Sequence, residues 1–518
     1  MSHMDQALSE LVRWHEMQQK FWTETAVNVA SVPDFEHILP KWVQTGDLLD
    51  HLLAGFQPHE DATAGTKAQT AWRDVIDAGQ VYRKLIAITW QEIQRDFHAH
   101  CIAIHDPGGM MAEWQSYRDR WLAIAEAAFI RLQRKPEFLE AQRRMLLCWC
   151  RWFSAQPDAV RTAVQQARDA AKQTRQAALA LLPTKIAQTP KTVIWRNGKT
   201  TVSRYESLRS AKPDLGPLLI CYGLIGRQTM TDLLPQRSLV RNLLAMDVDV
   251  FVIDWGSAEP SDADKGLDHF ALDQLSDCIS ATCDAAGTAK LTLMGICQGG
   301  VLALCHAAQQ SSQLDGVICS GTPVDFHADK TDHDPAHGML NLWVRSLGTQ
   351  GVNALVEAEQ GLDGEVLGCV FNQLNPIRTL ARYVVDLPEA MRDPGALNTF
   401  MAMETWLADR PNLPHALAQS WLMDLYHDNA LVHGNLSLRG TRVELDRIDV
   451  PVLNIVASAD HIVPPPCSAA LSNFIAQDRY SECKVTAGHV GVFVGRQSQT
   501  RTAPEIVTWL RSHSGNRI

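Results

Sequence analysis

The chain has 518 residues, of which 20% are charged and 46% apolar, a composition that allows two or three well-packed soluble domains. Its formal net charge of −11 argues against a nucleic-acid binder, because contacts with phosphates need a basic face. No run of 18 apolar residues occurs and the amino terminus is polar, so we expect no membrane span, no secretory signal and a cytoplasmic location. The twelve cysteines show no metal-ligand spacing, and we expect neither a metal nor a cofactor.

The first third of the chain has the pattern of helices. Nine of the fifteen tryptophans precede Phe153, and β-branched clusters are scarce there. Apolar residues recur at spacings of three and four, which predicts amphipathic helices packed through aromatic side chains. The predicted helices are Met4–Val27, Thr66–Ala99, Met110–Leu132, Pro136–Phe153 and an alanine-rich helix that follows Pro157. We therefore predict an all-α domain over residues 1–182.

After Pro183 the pattern changes to strands that alternate with helices. The segment Thr192–Tyr205 contains two alternating runs around Asn197-Gly198, a strong signal of a β-hairpin. Five short apolar runs then predict buried parallel strands at 217–222, 249–253, 291–294, 316–320 and 450–457. This alternation is typical of an α/β sheet covered by helices on both faces. We predict an α/β domain over 183–518, interrupted at 325–440 by a helical insert that serves as a cap or lid.

The stretch LTLMGICQGGVLALC places Cys297 between a predicted strand and a predicted helix. Three glycines flank it, Gly295, Gly299 and Gly300. In the α/β-hydrolase fold the nucleophile stands on such a strand-to-helix turn, and the glycines are needed because a Cβ would collide with neighbouring backbone. The alternative is a buried structural cysteine, but packing does not explain three glycines in these positions.

The same fold predicts an acid and then a histidine further along the chain. Asp460 follows the strand in LNIVASADHIVPP, and His489 lies in the glycine-rich KVTAGHVGVFVG. Each residue alone could be an ordinary turn or loop residue, but their order after the elbow predicts a catalytic triad. The expected oxyanion donors are the backbone amide of Gln298 and an amide from YGLIGR, with Leu224 or Ile225 as candidates.

Four more polar residues are weaker candidates for the site. Arg227 and Arg241 could bind the phosphate groups of a substrate, or could be solvated surface residues. Asp254 ends a strand, where ligands bind in such sheets, although a structural hydrogen-bond acceptor is the simpler interpretation. His461 could touch the site or serve a structural role.

From about Ala187 to Leu510 the sequence closely resembles the catalytic subunit of class III polyhydroxyalkanoate synthases. The resemblance includes QTPKTVIWRNGKTTVSRY, GICQGG, GTPVDF, ETWLADRP, DVPVLNIVASADHIVPP and AGHVG. It implies that Cys297 carries the growing acyl chain, that His489 activates the thiol, and that Asp460 assists the incoming hydroxyl. The amino-terminal part, notably EWQSYRDRWLAIAEAAFIRLQRKPEFLEAQ, resembles the separate helical partner subunit of these enzymes, which would make the chain a fusion of both subunits.

This resemblance implies an acyltransferase that polymerises (R)-3-hydroxyacyl-CoA, short-chain monomers above all, into polyester with release of CoA. It also implies a homodimer, and an insoluble product implies association with a polyester granule. Two other functions remain open at this point. One is a cysteine-type α/β hydrolase, either a thioesterase or a polyester depolymerase, and the other is a non-catalytic granule-associated protein.

Overall fold

The computed structural model of the protein describes residues 66–104, 114–180, 184–208, 213–328 and 338–513. The predicted helix Met4–Val27 lies outside these residues. The described part forms two compact units, one made of residues up to 180 together with 368–401, the other of 184–367 and 402–513. The segment 368–401 belongs to the predicted insert, so the insert contributes to both units.

The described helices follow the predicted pattern closely in the first third of the chain. In chain order they are α1 (Thr66–Ile104), α2 (Trp114–Gln133), α3 (Pro136–Ser154), α4 (Asp158–Ala180), α5 (Leu239–Leu244), α6 (Leu275–Ala286), α7 (Gln298–Gln309), α8 (Met339–Glu359), α9 (Gly364–Leu374), α10 (Pro376–Ala381), α11 (Leu387–Ala390), α12 (Pro394–Leu407), α13 (His415–Ser420), α14 (Pro465–Ala469), α15 (Gly491–Val494) and α16 (Ala503–His513). Short π-helical turns also occur at His269–Gln274, Arg382–Asp386, Trp421–His427 and Ser498–Thr502.

The helical unit is held by aromatic packing, as its composition predicts. Helix α3 begins at Pro136, whose missing amide hydrogen costs nothing in a first helical turn. Its Trp149 is fully buried, and Phe138 packs on Tyr82 of α1 with ring centroids 5.0 Å apart. Burying such large rings contributes strongly to the stability of the helical unit.

Segment 368–401 joins the helical unit through polar contacts as well as packing. Helix α10 packs on α2. The side chain of Asn375 donates to Glu126 Oε1 at 2.7 Å, and the side chain of Gln133 donates to the carbonyl of Gln373 at 2.5 Å. The sequence pattern assigned this segment to the insert in the α/β domain. In the structure it contacts helices from the first third of the chain.

The strands of the second unit are β1 (Lys191–Asn197), β2 (Thr200–Tyr205), β3 (Leu215–Cys221), β4 (Asp232–Leu234), β5 (Arg237–Ser238), β6 (Val248–Asp254), β7 (Leu291–Ile296), β8 (Leu314–Ser320), β9 (Ser437–Leu438), β10 (Thr441–Arg442), β11 (Val452–Ala457) and β12 (Tyr480–Val485). Eight of them form one sheet in the order β1-β2-β6-β3-β7-β8-β11-β12. The predicted hairpin is confirmed, with Asn197 paired to Thr200 across a two-residue turn. All five predicted buried strands are confirmed as β3, β6, β7, β8 and β11.

From β6 to β12 the neighbouring strands of this sheet are parallel. The chain passes from β3 to β6 on one side and then returns to β7 on the other side of β3. The direction of winding therefore reverses between β3 and β7, and in open α/β sheets a crevice forms at the carboxyl ends of the strands at such a point. The loop after β3 and the turn after β7 contain the candidate oxyanion donors and Cys297, so the topology brings these segments together.

Candidate active site

Cys297 occupies the turn between β7 and α7, where its backbone adopts φ 53° and ψ −119°. A positive φ strains a residue that has a Cβ, and the strain persists only where the surrounding structure imposes it. The amide of Cys297 donates to the carbonyl of Ser320 at 2.9 Å, and its carbonyl accepts from the amide of Gly300 at 3.0 Å. These bonds hold the partly exposed side chain at the carboxyl end of the sheet.

The three flanking glycines are required because the turn has no room for side chains. A Cβ on Gly299 would overlap the backbone carbonyl of Cys221 at the end of β3. A Cβ on Gly295 would overlap the backbone of Gly300, and one on Gly300 would overlap the side chain of Thr322. The turn therefore has the close packing of a nucleophile elbow, with cysteine as the exposed residue.

Asp460 and His489 lie in the loops that follow the neighbouring strands β11 and β12. The Nδ1 atom of His489 is 2.6 Å from Oδ2 of Asp460, whose side chain is only 1% exposed. The other carboxylate oxygen, Oδ1, accepts the amides of Ile462 and Val463 at 2.9 Å each. Both oxygens of Asp460 are thus engaged, and the carboxylate fixes the orientation of the imidazole.

The electrostatics of His489 connect it to both other residues. Burial by itself lowers the pKa of His489, but the negative charges of Asp460 and Cys297, together with hydrogen bonds to both, raise this pKa well above its ordinary value. Because Nδ1 faces Asp460, Nε2 is the imidazole nitrogen left for the sulfur. The arrangement favours a protonated imidazole beside the Asp460 carboxylate and within reach of the Cys297 sulfur, the geometry by which a histidine can activate a cysteine.

The predicted oxyanion residues differ in whether their backbone amides are available. Gln298 is the first residue of α7, so its amide has no partner within the helix and is available at the elbow. The amide of Leu224 already donates to Oε1 of the Gln298 side chain at 2.7 Å. The half-buried Ile225 makes no amide hydrogen bond to any residue that the structure describes.

Burial and the charge of Cys297 raise the pKa values of two tyrosines that the sequence did not indicate as candidates. Burial raises the pKa of Tyr222, and the charge of Cys297 raises it further. Burial likewise raises the pKa of Tyr426 well above its ordinary value, with Cys297 the largest of the added charges. Tyr222 directly follows β3, at the carboxyl end of a central strand, so the strand pattern could have indicated it as a site residue. Tyr426 lies in a π-helical turn of the insert, and its sequence context gives no such signal.

Arg227 and Asp254 meet each other and the backbone. The Arg227 guanidinium donates to the carbonyl of Gly256 at 2.9 Å and pairs with Asp409 at 3.2 Å, while Trp406 donates to the Arg227 carbonyl at 2.8 Å. Asp254 accepts the amide of Gly256 at 3.0 Å and lies 3.8 Å from Arg227. These contacts attach the insert segment around Trp406 to the loops after β3 and β6, which fits a structural role for both residues.

The remaining candidates lie at the periphery. Arg241 is half-buried on the short helix α5, where its amide donates to the Ser238 side chain at 2.9 Å. His461 is exposed in the turn after Asp460. Over the described part of the chain, no group of three or more His, Cys, Asp or Glu side chains is arranged to hold a metal ion. None of the described helices is both long and apolar enough to cross a membrane.

The fold is that of an α/β-hydrolase-fold protein, with Cys297 at the turn where this fold places its nucleophile. Residues 216–495 match the family model for the alpha/beta hydrolase fold. Among solved structures, the chain resembles a monoacylglycerol lipase of Paleococcus ferrophilus (19% identity, 57% of this chain and 94% of that one, TM-score 0.35). It also resembles an alpha/beta hydrolase fold protein of Nakamurella multipartita (17% identity, 63% of this chain and 100% of that one, TM-score 0.34).

Two named relatives identify the protein family more closely. The chain is 31% identical to the poly(3-hydroxyalkanoate) polymerase subunit PhaC of Thiocystis violacea, over 63% of this chain and 89% of that protein. It is 32% identical to the PhaC subunit of Allochromatium vinosum, over 62% of this chain and 88% of that protein. The chain therefore belongs to the poly(3-hydroxyalkanoate) polymerase family of acyltransferases.

Proposed function

We propose that the chain polymerises (R)-3-hydroxyacyl-CoA into polyester and releases CoA, through an acyl intermediate on Cys297. The single observation that supports this most directly is the sulfur on the strained elbow, coupled to a histidine that Asp460 holds at 2.6 Å. The named function of the PhaC relatives points to the same reaction class. The preference for short-chain monomers such as (R)-3-hydroxybutyryl-CoA rests on the resemblance to class III synthases.

In the first half-reaction the Cys297 thiolate attacks the thioester carbonyl of the substrate. The developing oxyanion accepts hydrogen bonds from the backbone amides of Gln298 and Ile225. When the tetrahedral intermediate collapses, the carbon–sulfur bond to CoA breaks. The CoA thiolate leaves with the proton that His489 carried, which makes the imidazole neutral. The product is an acyl-cysteine thioester.

In the second half-reaction neutral His489 accepts the proton of an incoming hydroxyl. The hydroxyl oxygen then attacks the acyl-cysteine carbonyl, an ester bond forms, and the Cys297 thiolate is released beside the new imidazolium. His489 is the better base here than Asp460, because both oxygens of Asp460 are already hydrogen-bonded and the carboxylate is 1% exposed. Asp460 acts by orienting the imidazole and stabilising its charge.

A thiol suits chain building better than a hydroxyl. Transfer from CoA to cysteine exchanges one thioester for another, so the acyl group keeps its reactivity. Attack by an alcohol then converts a thioester into a more stable oxygen ester, which drives the second step forward. A serine would lose that driving force on acylation. The reaction also needs water excluded, and the insert with its buried Tyr426 and Trp406 is our candidate for the lid.

The deciding experiment identifies the product. Purified chain is incubated with (R)-3-hydroxybutyryl-CoA while free CoA and chloroform-soluble polymer are both measured. We expect CoA release matched by polymer, and loss of both in Cys297→Ala. Cys369→Ala is the matched control, since Cys369 is also partly exposed, and it should retain activity. Soluble hydroxyacid without polymer would indicate a hydrolase, and activity in Cys297→Ala would indicate that Cys297 is not the nucleophile.

We also propose that residues 1–182 act as a fused partner subunit that activates the catalytic part. The supporting observation is that segment 368–401 of the insert packs within the helical unit, where Asn375 contacts Glu126 at 2.7 Å. A fragment beginning near residue 183 should be weakly active and should recover when residues 1–182 are supplied in trans. Absence of recovery, with both fragments shown to be folded by circular dichroism, would contradict this activation.

Two expectations about assembly accompany the proposal. A homodimer is expected from the resemblance to the family, and sedimentation of the purified chain at several concentrations would test it. Association with the granule is expected because the polymer is insoluble and is joined to Cys297 as a thioester after each acylation step. A cosedimentation assay with washed polymer, compared between the intact chain and Cys297→Ala, would separate covalent attachment from surface binding.

A further inference from the structure

The side chain of Gln298 connects the two segments that are to supply the oxyanion donors. Gln298 is fully buried, and its Oε1 accepts the amide of Leu224 at 2.7 Å across 74 residues of sequence. Gly223 permits this approach, since a Cβ there would lie 3.1 Å from the Cβ of Gln298. The loop after β3 is thus tied to the residue that follows the nucleophile.

Packing alone does not account for a glutamine at this position. The Nε2 atom of Gln298 is buried and has no hydrogen-bond partner among the described residues. An unsatisfied buried amide donor destabilises the folded protein, and a methionine or leucine would fill the space without that cost. The bond from Leu224 is the contact that distinguishes glutamine from an apolar residue here.

The bond also decides which loop amide is available. Of the two candidate loop amides, that of Leu224 is occupied by Gln298, and that of Ile225 has no partner among the described residues. Oxyanion donors act only when they point to the position that the developing charge will occupy, within a few tenths of an ångström. A loop on β3 and an elbow on β7 need a direct link to keep that accuracy.

We propose that Gln298 is the positioning residue of the oxyanion site. Its backbone amide is one donor, and its side chain holds the Leu224–Ile225 loop so that the Ile225 amide is the other. This inference rests on the proposed acylation of Cys297. Gln298→Met removes the acceptor for Leu224 while preserving side-chain length, so it loosens the loop without emptying the space.

The test compares two reactions of the same sulfur. Acylation of Cys297 by (R)-3-hydroxybutyryl-CoA passes through an oxyanion, whereas alkylation by iodoacetamide does not. Both rates are measured on the full chain by peptide mass spectrometry of Cys297. In Gln298→Met we expect acylation to slow about tenfold to a hundredfold, given that a whole oxyanion donor is worth about a hundredfold to a thousandfold. The alkylation rate should stay within about twofold of the wild-type rate, because this displacement forms no oxyanion.

Gln309→Met is the matched control, because Gln309 lies on the same helix, donates to the carbonyl of Thr441 at 3.0 Å and is not part of the site. It should change neither rate. Gln298→Leu is a second apolar variant and should reproduce the separation of the two rates if Gln298→Met folds poorly.

Three results would overturn the role of Gln298. Equal loss of acylation and alkylation would mean general disorder of the elbow, and unchanged acylation would mean that the tether is irrelevant. Faster acylation would mean that the carboxamide obstructs the site. If the wild-type chain is alkylated at Cys297 but never acylated there, the proposed function itself fails, and that result is distinct from the other three.

Discussion

The Nδ1 atom of His489 lies 2.6 Å from Oδ2 of Asp460, and the Oδ1 atom of that carboxylate is held by two backbone amides. The carboxylate therefore cannot turn away from the imidazole without breaking three hydrogen bonds. Because Asp460 is nearly inaccessible, we expect any influence it has on an incoming hydroxyl to pass through His489. This relationship leads to predictions about rate and about stability.

Asp460→Asn should preserve the shape of the site while impairing catalysis. The asparagine can present an amide NH₂ to Nδ1, which favours the wrong imidazole tautomer and no longer stabilises the imidazolium. We expect kcat for CoA release to fall about 10²- to 10⁴-fold, far more than any loss of folded protein, by analogy with the corresponding change in serine proteases. A variant that loses activity only in proportion to its loss of folded protein would contradict this role.

The stability supplied by His489 should decline as pH rises. Its pKa is raised well above the ordinary 6.5 in the folded protein. Below about 6.5 both folded and unfolded chains carry the proton, and the full stabilisation is present. Above that value only the folded chain holds the proton, so the stabilisation decreases until pH passes the folded pKa. Urea unfolding of wild type and His489→Gln, measured from pH 6 upward, should show a difference in unfolding free energy that shrinks with pH.

The two glycines after the nucleophile should differ in their tolerance of alanine. A Cβ on Gly299 meets backbone of Cys221, which cannot move without distorting β3, whereas a Cβ on Gly300 meets the side chain of Thr322. We expect Gly299→Ala to lower the free energy of unfolding by about 3 kcal/mol or more, and Gly300→Ala by less.

Gly434→Ala provides the control for these two variants. Gly434 has φ 62° and open space around its Cα, so alanine there meets only backbone strain of about 1–2 kcal/mol. Denaturant unfolding monitored by tryptophan fluorescence would rank the three variants. A larger loss in Gly434→Ala than in Gly299→Ala would show that the close packing of the elbow is not what requires glycine.

Arg227 and Arg241 should respond differently to the size of the substrate. Arg227 is engaged by Asp409 and the Gly256 carbonyl, so Arg227→Gln should reduce activity equally toward acyl-CoA and toward an acyl-pantetheine that lacks the nucleotide. If Arg241 binds the phosphates of CoA, Arg241→Gln should raise KM for acyl-CoA alone. Steady-state KM values with both substrates test the pair. An increase in KM confined to acyl-CoA in Arg227→Gln would reassign phosphate binding to that residue.

Local sequence patterns predicted the elements and the order of the site residues. Alternating apolar runs, the Asn197-Gly198 signal and the glycines around Cys297 depend on contacts over a few residues or on backbone geometry, which a sequence displays directly. Asp460 and His489 could be selected because each lies in the loop after a strand, and neighbouring parallel strands end on the same side of a sheet. Besides burial, the charge of Cys297 also raises the pKa of Tyr426. No sequence pattern indicated Tyr426, because it lies in an irregular helical turn of the insert.

The sequence by itself thus determined an α/β sheet with a cysteine elbow, an acid and a histidine in the required order, because strand periodicity and steric demands on glycine are local properties. Tertiary structure alone decided how neighbours share hydrogen bonds. In the folded chain the Leu224 amide donates to Gln298 and Arg227 pairs with Asp409. Segment 368–401 packs with the helices of the first third of the chain. Such pairings join residues tens or hundreds of positions apart, and they depend on side-chain geometry that exists only after the chain has folded.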